Sequence, residues 1–260
     1  MHEDTPAPAE APAPDLDAAP TIDPAPAKAP AAPKERFDVM KVLASTLRIT
    51  KHNFVPFFLL ACVLEIPATF VQVEYPKYIL LALVVQLVIT ALAQAVVAYG
   101  TIMELQGSRP STRTCIATGV AQLGRVIGVT VVSSLAIGGA MLLLVVPGII
   151  VSLMFYVAVP VTLAEGVGVG AALKRSRELT YGYKGDIFLI LLIAGGVAIG
   201  QAYLYAGMSH EAAFFARELV SAATMMFFAV TVAVTYVELR KVKDGIEPPA
   251  LATAFARIRK

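Results

Sequence analysis

Tryptophan is absent from this sequence, only 15% of its residues are charged, and it holds two cysteines and three histidines. Each shortage excludes something. A soluble domain carries about 25% charged residues. With 57% hydrophobic residues and a mean hydropathy of +0.72, this chain has too little charge to clothe a water-soluble surface, so a bilayer is the expected solvent. A net charge of +2 offers no clustered basic face of the kind a nucleic acid requires, and no nucleic-acid partner is expected. Cys62 lies in an apolar run and Cys115 in a segment expected on the cytoplasmic side, which argues against a structural disulfide. His2, His52 and His210 fall in a tail and on two opposite surfaces, where they cannot converge on a metal. No G-x-S-x-G, phosphate-cradling loop, H-E-x-x-H or intramembrane acid pair is present, and Cys62 has no histidine base beside it. Catalytic residues, cofactors and metals are therefore all expected to be absent, and the chain is read as a non-enzyme. Without tryptophan, interfacial anchoring falls to the nine tyrosines and to Lys and Arg.

What is present is long apolar runs. A span needs about 20 mostly apolar residues. Six such runs are expected to cross the membrane: Phe54–Val73, Tyr78–Met103, Val126–Val146, Ile149–Leu163, Ile187–Met208 and Leu219–Val237. The fourth is short. Pro147-Gly148 splits one continuous apolar stretch, Val126 to Leu163, into two expected spans joined by a tight turn, since proline breaks the hydrogen-bond ladder and glycine tolerates turn angles. The alternative is a re-entrant hairpin. Loop charge, not used in finding these runs, agrees with them. Of the 21 Lys and Arg, all but Lys77 and Arg217 fall on one side of the six-span arrangement. By the positive-inside rule that side, with both termini, is cytoplasmic. The fold class is thus all-α, a polytopic membrane protein with six transmembrane helices. Its membrane domain is 36–245, between a Pro/Ala-rich tail (1–35) expected to be disordered and a basic cytoplasmic tail (246–260). The first 33 residues hold nine prolines and eleven alanines, too little apolar surface to fold. They lack a basic start and an apolar core, so no secretory signal is expected there and the first span would serve as insertion signal.

The cytoplasmic segments carry helical periodicity. Val42, Leu43, Thr46, Leu47 and Thr50 oppose Lys41, Ser45, Arg48 and His52, which predicts an amphipathic surface helix before the first span. Ala172, Leu173, Ser176 and Leu179 oppose Lys174, Arg175, Arg177 and Glu178 before the fifth. A weaker pattern, Ile116, Val120 and Leu123, precedes the third. The chain so reads as three units of surface helix plus helical hairpin, with Leu47–Phe54 and Leu179–Phe188 as the locally similar pair.

Candidate functional residues form three groups. Lys174, Arg175, Arg177 and Lys184 face the cytoplasmic leaflet beside Tyr181 and Tyr183, as lipid-headgroup contacts or as plain topology determinants. Glu65, midway through the first span, with Gln86, Gln94 and Gln201, is a candidate intramembrane polar site. Alternatively, Pro67 lets Glu65 reach the interface and the glutamines bond neighbouring helices. Gly196 and Gly200 form a GxxxG for helix packing, within the chain first and between copies second, and Gly124 with Gly128 forms another.

The order Pro147-Gly148, Val159-Pro160, Glu165-Gly166, Ala172-Leu173, Arg175-Ser176, Leu179, together with the ending Tyr236–Gly245, resembles the bacterial membrane-domain family found fused to some glycerophosphodiester phosphodiesterases, and its stand-alone relatives. The resemblance covers roughly residues 36 to 245. It implies a six-helix membrane module of unsettled function, without the separate soluble phosphodiesterase barrel. The expected function is a non-enzymatic module of the bacterial inner membrane that organises lipids or partner proteins, as a monomer or homo-oligomer. The alternative is a transporter or channel-like component working through Glu65.

Overall fold

Helix boundaries follow local chemistry. The computed structural model describes residues 37–63, 76–108, 111–206 and 210–245. The terminal segments 1–35 and 246–260 and the site residue Glu65 lie outside the described residues. Helix α1 (Val39–His52) starts at Asp38, whose carboxylate accepts the Met40 amide at 2.8 Å. A short apolar helix, α2 (Phe54–Val63), follows. A single 3₁₀ turn, Pro76–Tyr78, leads into α3 (Ile79–Leu105). Ser111 caps α4 (Thr112–Leu143), its hydroxyl oxygen accepting the Thr114 amide at 3.2 Å. Then come α5 (Val145–Phe155), α6 (Ala158–Glu165), α7 (Val169–Thr180), α8 (Lys184–Ala206) and α9 (His210–Asp244). Among the described residues there is no strand.

Five stretches are long and apolar enough to cross a membrane: Leu80–Leu105, Thr112–Leu143, Val145–Glu165, Lys184–Ala206 and Ala216–Asp244. The chain is therefore an all-helical, multi-pass membrane protein by length and composition. The first expected span is described only through α2, as far as Val63.

Two expectations at the middle hairpin need correction. The turn between the expected third and fourth spans, α4 and α5, falls at the extended residue Leu144 and not at Pro147-Gly148. Pro147 sits in the first turn of α5, where a missing N–H leaves no bond unmade. Gly148 is there for space: a methyl group on it would come within 2.4 Å of the Met141 side chain and 3.0 Å of the Met141 Cα, so its absence lets α4 and α5 close on each other. The fourth span is also longer than expected, because α5 and α6 together make 21 residues. The break between them, at Tyr156-Val157, has its cause in Pro160, whose ring cannot accommodate the carbonyl four residues earlier. Ser176 of α7 donates to the Met154 carbonyl beside this break at 2.8 Å, which explains a fully buried serine.

The fully buried residues lie mostly on α3, α6 and α9, with α3 packed on both of the others. Lipid offers helices no hydrophobic drive to associate, so close van der Waals contact must do it. Alanines supply the closeness: Ala91, Ala95 and Ala98 of α3 and Ala229 and Ala233 of α9 are all buried. Helices α4 and α8 are peripheral, with only 11% of their apolar windows buried against 56% for α9.

The short helices repeat one burial pattern. Val42, Thr46, Ile49 and Thr50 of α1 occupy the same relative positions as Ala172, Ser176, Leu179 and Thr180 of α7. Ile49 thus corresponds to Leu179, whereas the sequence comparison had set Leu47 there; Leu47 is 48% exposed. Before the third span, the buried residues are Cys115 and Gly119, while Ile116 and Val120 point outward and the segment is continuous with α4. Gly119 lies against Val96 of α3. Each short element leans on the last helix of the unit before it: the start of α4 on α3, α7 on α6, and α1 on α9. The ring of contacts closes.

Replacing Gly148 by leucine is expected to cost about 1–3 kcal/mol through overpacking against Met141, seen as a lower apparent Tm of the purified protein in detergent. Gly196→Ala, on an open face, is expected to leave Tm unchanged.

Candidate functional site

The three core helices carry one motif near their C-terminal ends. Thr101-Ile-Met-Glu104 and Thr162-Leu-Ala-Glu165 close α3 and α6, Thr235-Tyr-Val-Glu238 lies in α9 ahead of its last turns, and all three threonines are fully buried. Threonine inside a helix can bond its own backbone: Thr162 donates to the Ala158 carbonyl at 2.9 Å and Thr235 to that of Thr231 at 2.8 Å. The glutamates three residues on each take hold of a short helix or the residue after it. Glu104 accepts from Asn53 and faces His52 Nδ1 at 3.0 Å. Glu238 lies 3.9 Å from Lys41 Nζ. Glu165 is the most heavily used. Its Oε1 accepts from Arg175 Nε at 3.3 Å and from the Tyr236 hydroxyl at 3.3 Å, with Arg240 Nη1 at 3.6 Å.

Arg175 and Arg240 are further joined through Asp244, which accepts from Arg240 Nε at 3.0 Å and from Arg175 Nη2. Glu178 lies 3.8 Å from Arg175. The Glu165, Asp244, Arg175 and Arg240 side chains are 12–27% exposed, so the network is partly withdrawn from water, with two cations matched by two partly covered anions. Gly166 ends α6 at φ +63°, a left-handed cap that favours glycine. Arg125 of α4 donates to the Gly166 carbonyl at 3.1 Å. Lys243 sits over the rings of Tyr181 and Tyr183 at 5.7 and 5.6 Å. This charged end is the main polar construction among the described residues.

The four cations singled out from sequence part company here. Arg175 turns into the network, whereas Lys174 and Arg177 are exposed and, among the described residues, not ion-paired. Lys184, at the start of α8, is half-buried. The three glutamines do not converge either. Gln86 donates to Thr90 on its own helix at 3.3 Å, Gln94 lines a cavity of about 70 Å³ beside Tyr156 and Pro160, and Gln201 donates to Thr224 across to α9. Among the described residues the packing role expected of Gly196 and Gly200 within the chain is not found: a methyl on either would meet nothing within 4 Å. Gly124 is equally open, and Gly128 lies against Val169.

Among the described residues no three of His, Cys, Asp and Glu come together as a metal site, and Cys62 and Cys115 are free. Sequence reasoning missed the Glu165 network, although the thrice-repeated Thr-x-x-Glu was there to be read. No family model, no curated protein and no solved structure matches the chain.

Glu165→Gln leaves Arg175 and Arg240 short of an anion in a half-dry site and is expected to cost about 2 kcal/mol. Glu238→Gln, whose partner Lys41 is 47% exposed, is expected to cost less than about 0.5 kcal/mol. Chemical or thermal unfolding in a fixed detergent checks both, and equal losses would refute the ranking.

Proposed function

We propose that the chain is a six-span, non-enzymatic module of the bacterial inner membrane that gathers lipids, and through them or beside them partner proteins, with both termini cytoplasmic and α1 and α7 lying as amphipathic helices along the cytoplasmic surface. The sixth span is supported by reach. His52 touches Glu104 at the far end of α3, and α3 has 27 residues, about 40 Å at 1.5 Å per residue. The apolar run Phe54–Val73 lies between His52 and the start of α3 in the sequence and is long enough to cross a bilayer.

The observation that carries the lipid reading is the division of labour among the cations. Arg175 and Arg240 are committed to Glu165 and Asp244, while Lys174 and Arg177 on the outer face of α7, and Arg48 and Lys51 on that of α1, stay exposed at the same charged end. Topology alone needs only positive charge near the end of a span. It does not need short helices held by buried Val42, Thr46 and Ile49, or Ala172, Ser176 and Leu179, so that their cations face away. Each such cation near an anionic leaflet contributes about 1 kcal/mol. The residues that resemble the phosphodiesterase-associated membrane domain fit this reading as architecture: Gly148 admits Met141, Pro160 kinks the fourth span, and Glu165, Arg175 and Ser176 hold α7 in place. A second copy of the chain would find its closest approach at Gly196 and Gly200. The transporter alternative draws little from Gln86, Gln94 and Gln201, which lie apart.

In vesicles of phosphatidylethanolamine with phosphatidylglycerol, the triple variant Lys174→Gln, Arg177→Gln, Lys184→Gln is expected to lose most of the anionic-lipid enrichment that co-purifies with the protein. Arg175 is left intact so that folding is spared. Unchanged enrichment, measured by lipid mass spectrometry, would refute the lipid reading.

A further inference from the structure

Helices α8 and α9 form a hairpin, yet a cavity of about 330 Å³ stands between them. Its cause is in the sequence. The facing stripe of α8 is Ile190, Ala194, Val197, Gln201, and that of α9 is Ser221, Thr224, Phe228, Thr231; the short side chains on both sides leave the gap. The volume is at the lower end of the range for ligand sites, ~300–1,000 Å³, and the groove is part open and lined mainly by apolar atoms. Leu43 of α1 closes it toward the charged end.

Both stripes turn polar toward the other end. Gln201 donates to Thr224, whose own hydroxyl donates to the Val220 carbonyl at 2.8 Å, so the Gln201 carbonyl oxygen keeps its accepting capacity. One turn further along α8, Tyr205 has a buried hydroxyl with no hydrogen-bond partner among the described residues. One turn before Ser221 on α9, Arg217 is exposed, its guanidinium 5.6 Å from the Tyr205 ring. Among the described residues no carboxylate pairs with it. Arg217 is also one of only two cations that fall on the poorly charged side of the chain.

We propose that this groove binds one phospholipid of the leaflet opposite the charged end: an acyl chain between α8 and α9, ester groups at Ser221 and Tyr205, and the phosphate on Arg217. An apolar slot, neutral hydrogen-bonding groups above it and, at the rim, a guanidinium with no carboxylate on it among the described residues follow the polarity order of a phospholipid from tail to headgroup. The site rests on the membrane-spanning reading above but not on the cations of the charged end.

The test uses the full chain in vesicles containing a phospholipid with a photoreactive group midway along one acyl chain, with cross-linked residues mapped by mass spectrometry. Labelling is expected to concentrate on Val197, Met225 and Phe228, several-fold above Leu192 and Ile199, which face away from the groove. Val197→Phe and, separately, Ala194→Leu fill the slot and are expected to reduce groove labelling while Leu192 and Ile199 keep theirs. Arg217→Gln removes a charge-assisted contact and is expected to weaken groove labelling by the phospholipid about tenfold, but not labelling by the matching diacylglycerol probe. Groove residues labelled no more than Leu192 and Ile199, or unaffected by both filling variants, would overturn the proposal. So would ready disulfide cross-linking of two chains through Val197→Cys, which would make the occupant a second copy. The triple variant Lys174→Gln, Arg177→Gln, Lys184→Gln is expected to leave groove labelling intact, so failure of the inner-leaflet reading and failure of this site are separable.

Discussion

The carboxylate of Glu165 is the point on which the rest of this structure leans. It ends α6 and receives a guanidinium from α7 and both a hydroxyl and a guanidinium from α9. In a bilayer, the apolar faces of helices gain nothing by meeting each other instead of lipid. Packing of small residues must bring them together, and polar groups at their ends must choose which helices meet. Glu104 and Glu238 do the same work more loosely, each on α1 or the residue after it. The three Thr-x-x-Glu motifs thus act as one device used three times, with unequal strength. A half-buried carboxylate with two hydrogen-bond donors and a further guanidinium at 3.6 Å and a surface pair at 3.9 Å differ by more than any helix propensity along the chain.

From that device follows the arrangement of the charged end. Once Arg175 and Arg240 are drawn inward, α7 can lie only with Ala172, Ser176 and Leu179 against the bundle, and Lys174 and Arg177 are left outside. The interior is settled by alanine rather than by GxxxG. Helix α8, which lacks such a match to α9, keeps a cavity instead of a seam. One of the two least buried helices therefore also borders an unfilled groove.

Much of this was legible in the sequence. Apolar runs located α3, α8 and the inner part of α9 to within a few residues, and the split between α4 and α5 was found three residues from its true place. Periodicity also picked out Val42, Thr46 and Thr50 of α1 and Ala172, Ser176 and Leu179 of α7, which are buried, but it placed the exposed Leu47 on the inner face of α1 and left out the buried Ile49. What periodicity cannot carry is which side chain reaches a partner on a distant helix. Arg175 and Arg177 look alike in sequence, but only Arg175 is one residue from the buried Ser176 on the side that meets Glu165. Gly148 and Gly196 are both glycines in apolar runs, yet one has Met141 against it and the other nothing. A motif such as GxxxG states that helices could approach closely and does not supply the helix that does.

The account requires that α1, α7 and the end of α9 share one side of the membrane and that Arg217 lie on the other. In a chain with Cys62 and Cys115 replaced by alanine, single cysteines at Arg48, Arg177, Lys243 and Arg217 can be probed with a membrane-impermeant thiol reagent in sealed vesicles of known orientation. The account predicts that the first three are labelled from the cytoplasmic side only and Arg217 from the opposite side only. Labelling of Arg217 and Arg177 from the same side, or of Arg48 and Arg177 from different sides, would contradict it.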